Sequence, residues 1–159
     1  MIDGKIAVLF VCLGNICRSP TAEGVFRQLV AREAPELDVV TDSAGTGDYH
    51  LGRPPDLRSQ RAALSRGVDL SGLRARQVGG QDFERYDLIL AMDRQNLRDL
   101  QSLRPPASRA QLALFMEYAG TAEREIPDPY LGDADDFEHV LDLTTRASRG
   151  LIAALKNRS

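Results

Sequence analysis

The residues from Cys12 to Ser19, Cys-Leu-Gly-Asn-Ile-Cys-Arg-Ser, concentrate the reactive chemistry of this chain in the form C-x5-R-S. A loop that runs into a helix N-terminus aims free backbone N–H groups and the positive end of the helix dipole at its centre, and so cradles a phosphate. Gly14 permits positive φ and Asn15 tolerates the left-handed conformation, so together they let the amides of Leu13, Gly14, Asn15, Ile16 and Cys17 curl inward as an anion nest. Arg18 completes the cradle, because its planar fork spans two equatorial oxygens of a phosphoryl group in a way that lysine does not. The same dipoles favour the thiolate form of Cys12, whose attack on phosphorus gives a phosphocysteine intermediate. Ser19 can donate a hydrogen bond to that sulfur and ease its departure. The plainer reading makes Cys12 a packed core thiol and Ser19 a helix cap. The register of Gly14, Asn15, Arg18 and a helix start argues for the nucleophile.

Cleavage of a phosphate ester also needs a proton donor for the leaving oxygen. Asp128, in Ile126-Pro127-Asp128-Pro129-Tyr130, is the candidate general acid. The flanking prolines restrict how its carboxyl is presented, and Tyr130 can wall the entrance and stack on an aromatic substrate. Read on this loop alone, Asp128 is more often a turn residue than an acid. Thiolate and protonated acid must coexist, so turnover should follow an acid-leaning bell in pH.

The elements that must position these groups follow from periodicity. Lys5 to Val11 is a nearly continuous apolar run of strand length, suited to a strand covered on both faces. From Pro20 the spacing of Ala22, Val25, Phe26, Leu29 and Val30 is helical, with Ser19 expected as N-cap. A second strand is expected from Leu37 to Asp42, then a Gly/Pro-bearing loop and a helix from Asp56 to Arg66. Asp87 to Met92 reads as a third buried strand, followed by a helix from Asp93 to Leu103. Gln111 to Met116 fits either a fourth strand or a short helical turn. A loop from Ala119 to Gly132 leads to a closing helix from Asp135 to Lys156. Alternating strands and helices without repeats predict one doubly wound α/β domain over residues 1–159, with its ligand beyond the carboxyl ends of the strands.

Composition narrows the function. A formal charge of −3 supplies no broad basic field, so neither nucleic acid nor an anionic membrane is an expected partner. No apolar run approaches the roughly 20 residues of a membrane span, and Met1-Ile2-Asp3-Gly4-Lys5 lacks a signal-peptide layout, which makes the cytoplasm the expected compartment. Two cysteines, Cys12 and Cys17, are too few for a disulfide scaffold, and with His50 and His139 they form no zinc-type spacing. No metal is therefore expected. Neither histidine sits in a motif. The arginines between Arg53 and Arg76 read as a solvated face more than a docking surface, and the acidic cluster Asp133, Asp135, Asp136 and Glu138 as helix capping more than a calcium site.

The chain resembles the low-molecular-weight protein tyrosine phosphatases over essentially its whole length. The likeness is carried by VCLGNICRSP at Val11 to Pro20, Asp42 to Gly45, Ala75-Arg76-Gln77, Met92-Asp93 with Asn96-Leu97, and Asp128-Pro129-Tyr130. It implies a four-stranded parallel sheet flanked by helices, with the phosphate loop after strand 1. It also implies Cys12 as nucleophile, Arg18 as clamp, Asp128 as acid, no cofactor, and phosphotyrosine-containing proteins and oxyanions as partners; the oligomeric state stays open. By the same resemblance Asn15 holds the strained loop through Ser19 and Ser43, Tyr49 faces Tyr130 across the mouth, and Cys17 can form a reversible disulfide with Cys12. Two positions depart from the family. Leu73 stands where many members have His, which leaves Glu23 to be solvated, protonated or paired with an arginine such as Arg74 or Arg76. Leu131 replaces a second Tyr, which removes one site of phosphorylation.

Rival readings share the cradle. Thiol-linked arsenate reduction would need resolving cysteines beyond Cys17, or an external thiol. Phosphoarginine hydrolysis is disfavoured by the apolar Ile16 beside Tyr49 and Tyr130. A silent phosphate-binding module would need neither Cys12 nor Asp128.

Overall fold

The apolar run near the N-terminus becomes the strand on which two cores are built. The computed structural model describes residues 4–158, so the expectation about a leader layout at Met1 to Asp3 lies outside the described residues. The order of elements is β1 (Ile6–Cys12), α1 (Arg18–Glu33), β2 (Val39–Gly45), α2 (Leu57–Leu64), α3 (Asp82–Arg85), β3 (Leu88–Ala91), α4 (Arg94–Leu103), β4 (Gln111–Leu114), a 3-10 helix (Phe115–Ala119) and α5 (Ala134–Lys156). The strands form one four-stranded sheet in the order β2-β1-β3-β4, and every pairing is parallel.

Side chains alternate across a strand with period two, and β1 shows why its whole run is apolar. Val8, Phe10 and Cys12 enter a core shared with α1 and α5, while Ala7, Leu9 and Val11 enter a second core with Phe83, Tyr86 and Leu100 on the other face. Phe10 packs on Phe26 at 5.6 Å and on Phe115 at 5.1 Å between ring centroids, edge contacts that add about 0.5–1.5 kcal/mol each beyond area burial. With helices on both faces and β1 leading outward to β2 on one side and β3 on the other, the crevice at the carboxyl ends of β1 and β3 is the ligand position of such sheets.

Several boundaries differ from the sequence reading, each for a physical reason. Helix α1 starts at Arg18, two residues before Pro20, and its cap position is Cys17. Ser19 is therefore not the N-cap; its hydroxyl turns into the loop, where it meets Cys12. Strand β2 runs on to Gly45 because Gly45 N–H and C=O pair with Arg76 O and Val78 N, neighbours invisible to local propensity. The ambiguous stretch after α4 is both things expected of it, strand β4 and then the 3-10 helix. The short α3 was not anticipated. The acidic cluster caps α5: Asp133 and Asp136 form a reciprocal capping box, and Glu138 pairs with Arg66 at 2.7 Å. No helix among the described residues is long and apolar enough to cross a membrane.

Candidate active site

The turn between β1 and α1 is held from behind by one asparagine. Asn15 has φ 57°, the only positive φ outside glycine among the described residues, and is 2 % exposed. The left-handed conformation costs an ordinary residue roughly 1–2 kcal/mol, and three side-chain hydrogen bonds worth about 0.5–1.5 kcal/mol each offset it here. Asn15 Oδ1 accepts from the Arg76 amide at 3.0 Å, which fixes the orientation of its carboxamide. Its Nδ2 then donates to Ser19 Oγ at 2.7 Å and to Ser43 Oγ at 3.1 Å. Gly14 does not take the positive φ expected of it. Its missing side chain makes space instead: a Cβ there would lie 2.9 Å from His50 Cδ2. Gly45 is needed for the same reason, since a Cβ would meet the Leu13 carbonyl at 2.6 Å.

The front of the loop is open. Asn15 N–H donates to Cys12 Sγ at 3.3 Å, while the amides of Gly14, Ile16, Cys17 and Arg18 bond to no other described residue. With no acidic residue in the first turn of α1, those amides and the helix terminus face the crevice as a positive surface. Cys12 Sγ lies 3.0 Å from Ser19 Oγ. Because Ser19 Oγ already accepts from Asn15, its own hydrogen is free for the sulfur; the competing Ala44 carbonyl lies at 3.4 Å.

Arg18 comes from the first turn of α1 and crosses under the loop. Its Nη1 donates to Asp93 Oδ2 at 2.6 Å and to the Ile126 carbonyl at 2.9 Å, which leaves the Nε–Nη2 edge for a bidentate oxyanion. Burial works against the Arg18 cation, and the Cys12 sulfur and Asp93 outweigh it, so the guanidinium is held above its ordinary range. Asp128 stands across the crevice, its Oδ2 3.8 Å from Arg18 Nη2. Its Oδ1 accepts from the Tyr130 amide at 3.1 Å, the local contact that the turn reading of this residue expects.

Cys12, Arg18 and Asp128 thus converge on one cavity of about 210 Å³, whose mouth is walled by Tyr49, His50 and Tyr130. Leu13, Gly14, Ile16 and Cys17 line it too, while Asn15, Ser19 and Ser43 lie behind the loop as buried supports. A larger cleft of about 560 Å³ opens near the N-terminal ends of β3 and β4, with no thiol in its wall. Size does not decide the site; the oxyanion donors and the thiol do. Among the described residues no cluster of three or more His, Cys, Asp or Glu could hold a metal.

Residues 7–159 match the family model described as low molecular weight phosphotyrosine protein phosphatase. The chain belongs to this family. It is 43 % identical over 148 residues to the low molecular weight phosphotyrosine protein phosphatase of Homo sapiens, covering 92 % of this chain and 93 % of that protein. It is 38 % identical over 152 residues to the low molecular weight protein-tyrosine-phosphatase YfkJ of Bacillus subtilis, covering 95 % and 96 %. A protein tyrosine phosphatase from Entamoeba histolytica, crystallised with Hepes in its active site, superposes with a TM-score of 0.92 at 34 % identity, covering 97 % of this chain and 99 % of that one. The resemblance read from the motifs and the doubly wound sheet with its loop after β1 therefore hold.

Within the low molecular weight phosphatase frame, some site residues were not singled out beforehand. Asp93 orients Arg18 at 2.6 Å; it was matched to the family pattern in Met92-Asp93 but given no role, and it also caps α4 by accepting from Asn96 N–H at 2.8 Å. His50 has no motif around it, and only the fold brings it to the mouth. Glu23 pairs with Arg27, not with Arg74 or Arg76: Arg76 is held by Asp42 and by both oxygens of Asp82, all at 3.0 Å, and Arg74 donates to the Ser71 and Leu73 carbonyls. Arg27 lies one helical turn from Glu23, whereas Arg76 meets two carboxylates first.

Cys17 differs from Cys12 in its surroundings. Burial pushes its thiol up to about 12, against a weaker opposing hydrogen bond from Ser59. It stays protonated at neutral pH, so brief iodoacetate treatment near pH 7 is expected to alkylate Cys12 alone, read by peptide mass spectrometry. Equal labelling of both cysteines would contradict this.

Proposed function

We propose that the protein is a protein tyrosine phosphatase working through a phosphocysteine intermediate, with Cys12 as nucleophile, Arg18 as phosphate clamp and Asp128 as general acid. The observation that carries the reading is the convergence of those three side chains and the loop amides on one cavity with aromatic walls. The thiolate attacks phosphorus as the bond from phosphorus to the phenolic oxygen breaks, and Asp128 gives that oxygen its proton. Water then attacks the phosphocysteine, Asp128 takes the proton of that water, and sulfur leaves as thiolate, steadied by the Ser19 hydroxyl. Arg18 and the amides hold the three equatorial oxygens throughout, in place of the water that would otherwise solvate their charge. Tyr49 and Tyr130 at the mouth offer faces on which a phosphotyrosine ring can stack, and an aryl ester is longer than a serine ester, which favours phosphotyrosine over phosphoserine for a phosphorus bound at the loop. A mechanism that needs a free thiol suits a reducing compartment, the cytoplasm.

Hydrolysis of phosphotyrosine and phosphoserine peptides in the presence of EDTA tests the reading. Wild type should turn over the phosphotyrosine peptide at least about tenfold faster in kcat/KM. Asp128→Ala should lower kcat by about 10²- to 10³-fold, with the smallest loss on substrates whose leaving group needs no proton. A loss independent of the leaving group would remove Asp128 from the role of acid.

A further inference from the structure

Behind the phosphate loop lies a hydrogen-bond chain that ends on a buried carboxylate. Glu23 is completely buried on α1, and its Oε1 accepts from Ser43 Oγ at 2.8 Å. Ser43 Oγ in turn accepts from Asn15 Nδ2, the same amide nitrogen that donates to Ser19 Oγ beside the Cys12 sulfur. Donor counting gives every link a direction. The Arg76 amide holds Asn15 Oδ1 as acceptor, so Nδ2 must donate both its hydrogens, and Ser43 must pass its own on to Glu23. The arrangement is complete only when Glu23 is an acceptor, which a carboxylate is at both oxygens.

An ionised group at zero exposure requires a counter-charge. Leu73 offers none. Arg27, one turn along α1, places Nη2 2.5 Å from Glu23 Oε2. Its other bonds fix it there: Nε donates to Thr41 Oγ1 at 2.6 Å and Nη2 to the Thr41 carbonyl at 2.9 Å, both on edge strand β2. The remaining charges near Glu23 are Asp42 on β2, which repels it, and Arg76 from the segment before α3, already shared between Asp42 and Asp82. Burial pushes the Glu23 carboxyl up, against Arg27 first and Ser43 second.

We propose that Arg27 is a positioning residue for the reaction: by neutralising Glu23 it keeps the chain Glu23–Ser43–Asn15–Ser19 pointed one way, so that the Ser19 hydroxyl donates to Cys12. This rests on the phosphatase reading above. Loss of the Arg27 charge acts with the same sign by either route. If Glu23 keeps its charge, an unpaired anion faces the loop from behind. If Glu23 takes up a proton, Ser43 loses its strong acceptor, the Asn15 amide is held less firmly, and Ser19 can turn to the Ala44 carbonyl. Both disfavour the thiolate and its departure from phosphorus.

The test compares Arg27→Met, which keeps the aliphatic stem, with Arg27→Lys, with Glu23→Gln and the double variant, and with Arg149→Met, which breaks the exposed 3.0 Å pair between Arg149 on α5 and Glu33 at the end of α1. Arg27→Met is expected to lower kcat on para-nitrophenyl phosphate about three- to tenfold with KM within about twofold, and Arg27→Lys to restore most of it. Alkylation of Cys12 by iodoacetate should slow by a similar factor near pH 6 and recover near pH 9, a profile that simple loss of stability does not produce. Arg149→Met should change neither readout. In the Glu23→Gln background Arg27→Met should add nothing, and that double variant carries no unpaired buried charge, so it supplies the answer if Arg27→Met alone fails to fold. The proposal is overturned if Arg27→Met leaves kcat and the alkylation profile within about twofold of wild type, or if its effect persists undiminished in the Glu23→Gln background. Absence of turnover in wild type would instead overturn the phosphatase reading, while alkylation still tests the link from Arg27 to Cys12.

Discussion

Replacing Cys12 by Ser is expected to lower kcat on para-nitrophenyl phosphate by about 10⁴-fold or more while leaving oxyanion binding in place. The two halves of this result come from different atoms. Attack on phosphorus needs an ionised sulfur, and a serine hydroxyl at the same point has no base beside it: the Ser19 hydroxyl lies 3.0 Å from the sulfur, and Asp128, on the opposite wall of the cavity, is in the proposed mechanism the acid for the leaving group. Binding, in the proposed reading, rests on the loop amides and Arg18, which the substitution does not touch. Titration calorimetry with inorganic phosphate should therefore give a dissociation constant for Cys12→Ser within about tenfold of wild type, or a lower one. Turnover surviving within tenfold of wild type would move the chemistry to another nucleophile.

Arg18→Lys should lower kcat by about 10²- to 10³-fold, although charge is conserved. The native guanidinium divides its work: Nη1 is bound to Asp93 at 2.6 Å and to the Ile126 carbonyl at 2.9 Å, and the opposite edge faces the oxyanion. An ammonium group is a single point. At Asp93 it leaves the phosphoryl oxygens unclamped, and at the oxyanion it leaves a carboxylate and a carbonyl without their donor. Steady-state kinetics with the lysine variant reads this loss mainly in kcat, because charge on the equatorial oxygens has to be held through the transition state. A variant with kcat within about threefold of wild type would show that Arg18 supplies charge alone.

How much of this was legible beforehand differs from residue to residue. β1 was evident because a strand covered on both faces must be apolar at every position, and both Val8 and Leu9 are wholly buried, on opposite sides. Cys12 and Arg18 were candidates because their spacing within one short loop has a chemical purpose, whereas Asp128 was a candidate mainly through the family resemblance; the structure brings all three to one cavity. Where local logic had two answers, structure chose: Ser19 was expected as helix cap and sulfur partner, and only the second holds, because a hydroxyl already accepting from Asn15 satisfies the thiol and not the helix. Gly14 was expected to provide a left-handed turn, but Asn15 supplies it alone and Gly14 clears His50.

What the sequence by itself determined was the set of groups carried by neighbours in the chain: a Gly-Asn loop before a helix start, a thiol at its beginning, a forked cation after it, and an alternation of strands and helices that puts such a loop at the open end of a sheet. Only the tertiary structure decided which distant groups complete it. Asp93, 75 residues from Arg18, orients the clamp. Arg76, 61 residues from Asn15, sets the amide that directs the network. Arg27 takes the charge of Glu23 because Arg76 is drawn to Asp42 and Asp82. The physical reason is the same in each case: a buried polar group must find its partner wherever the fold brings one, and partner choice depends on which competing charges arrive first, a three-dimensional fact without a local pattern in the chain.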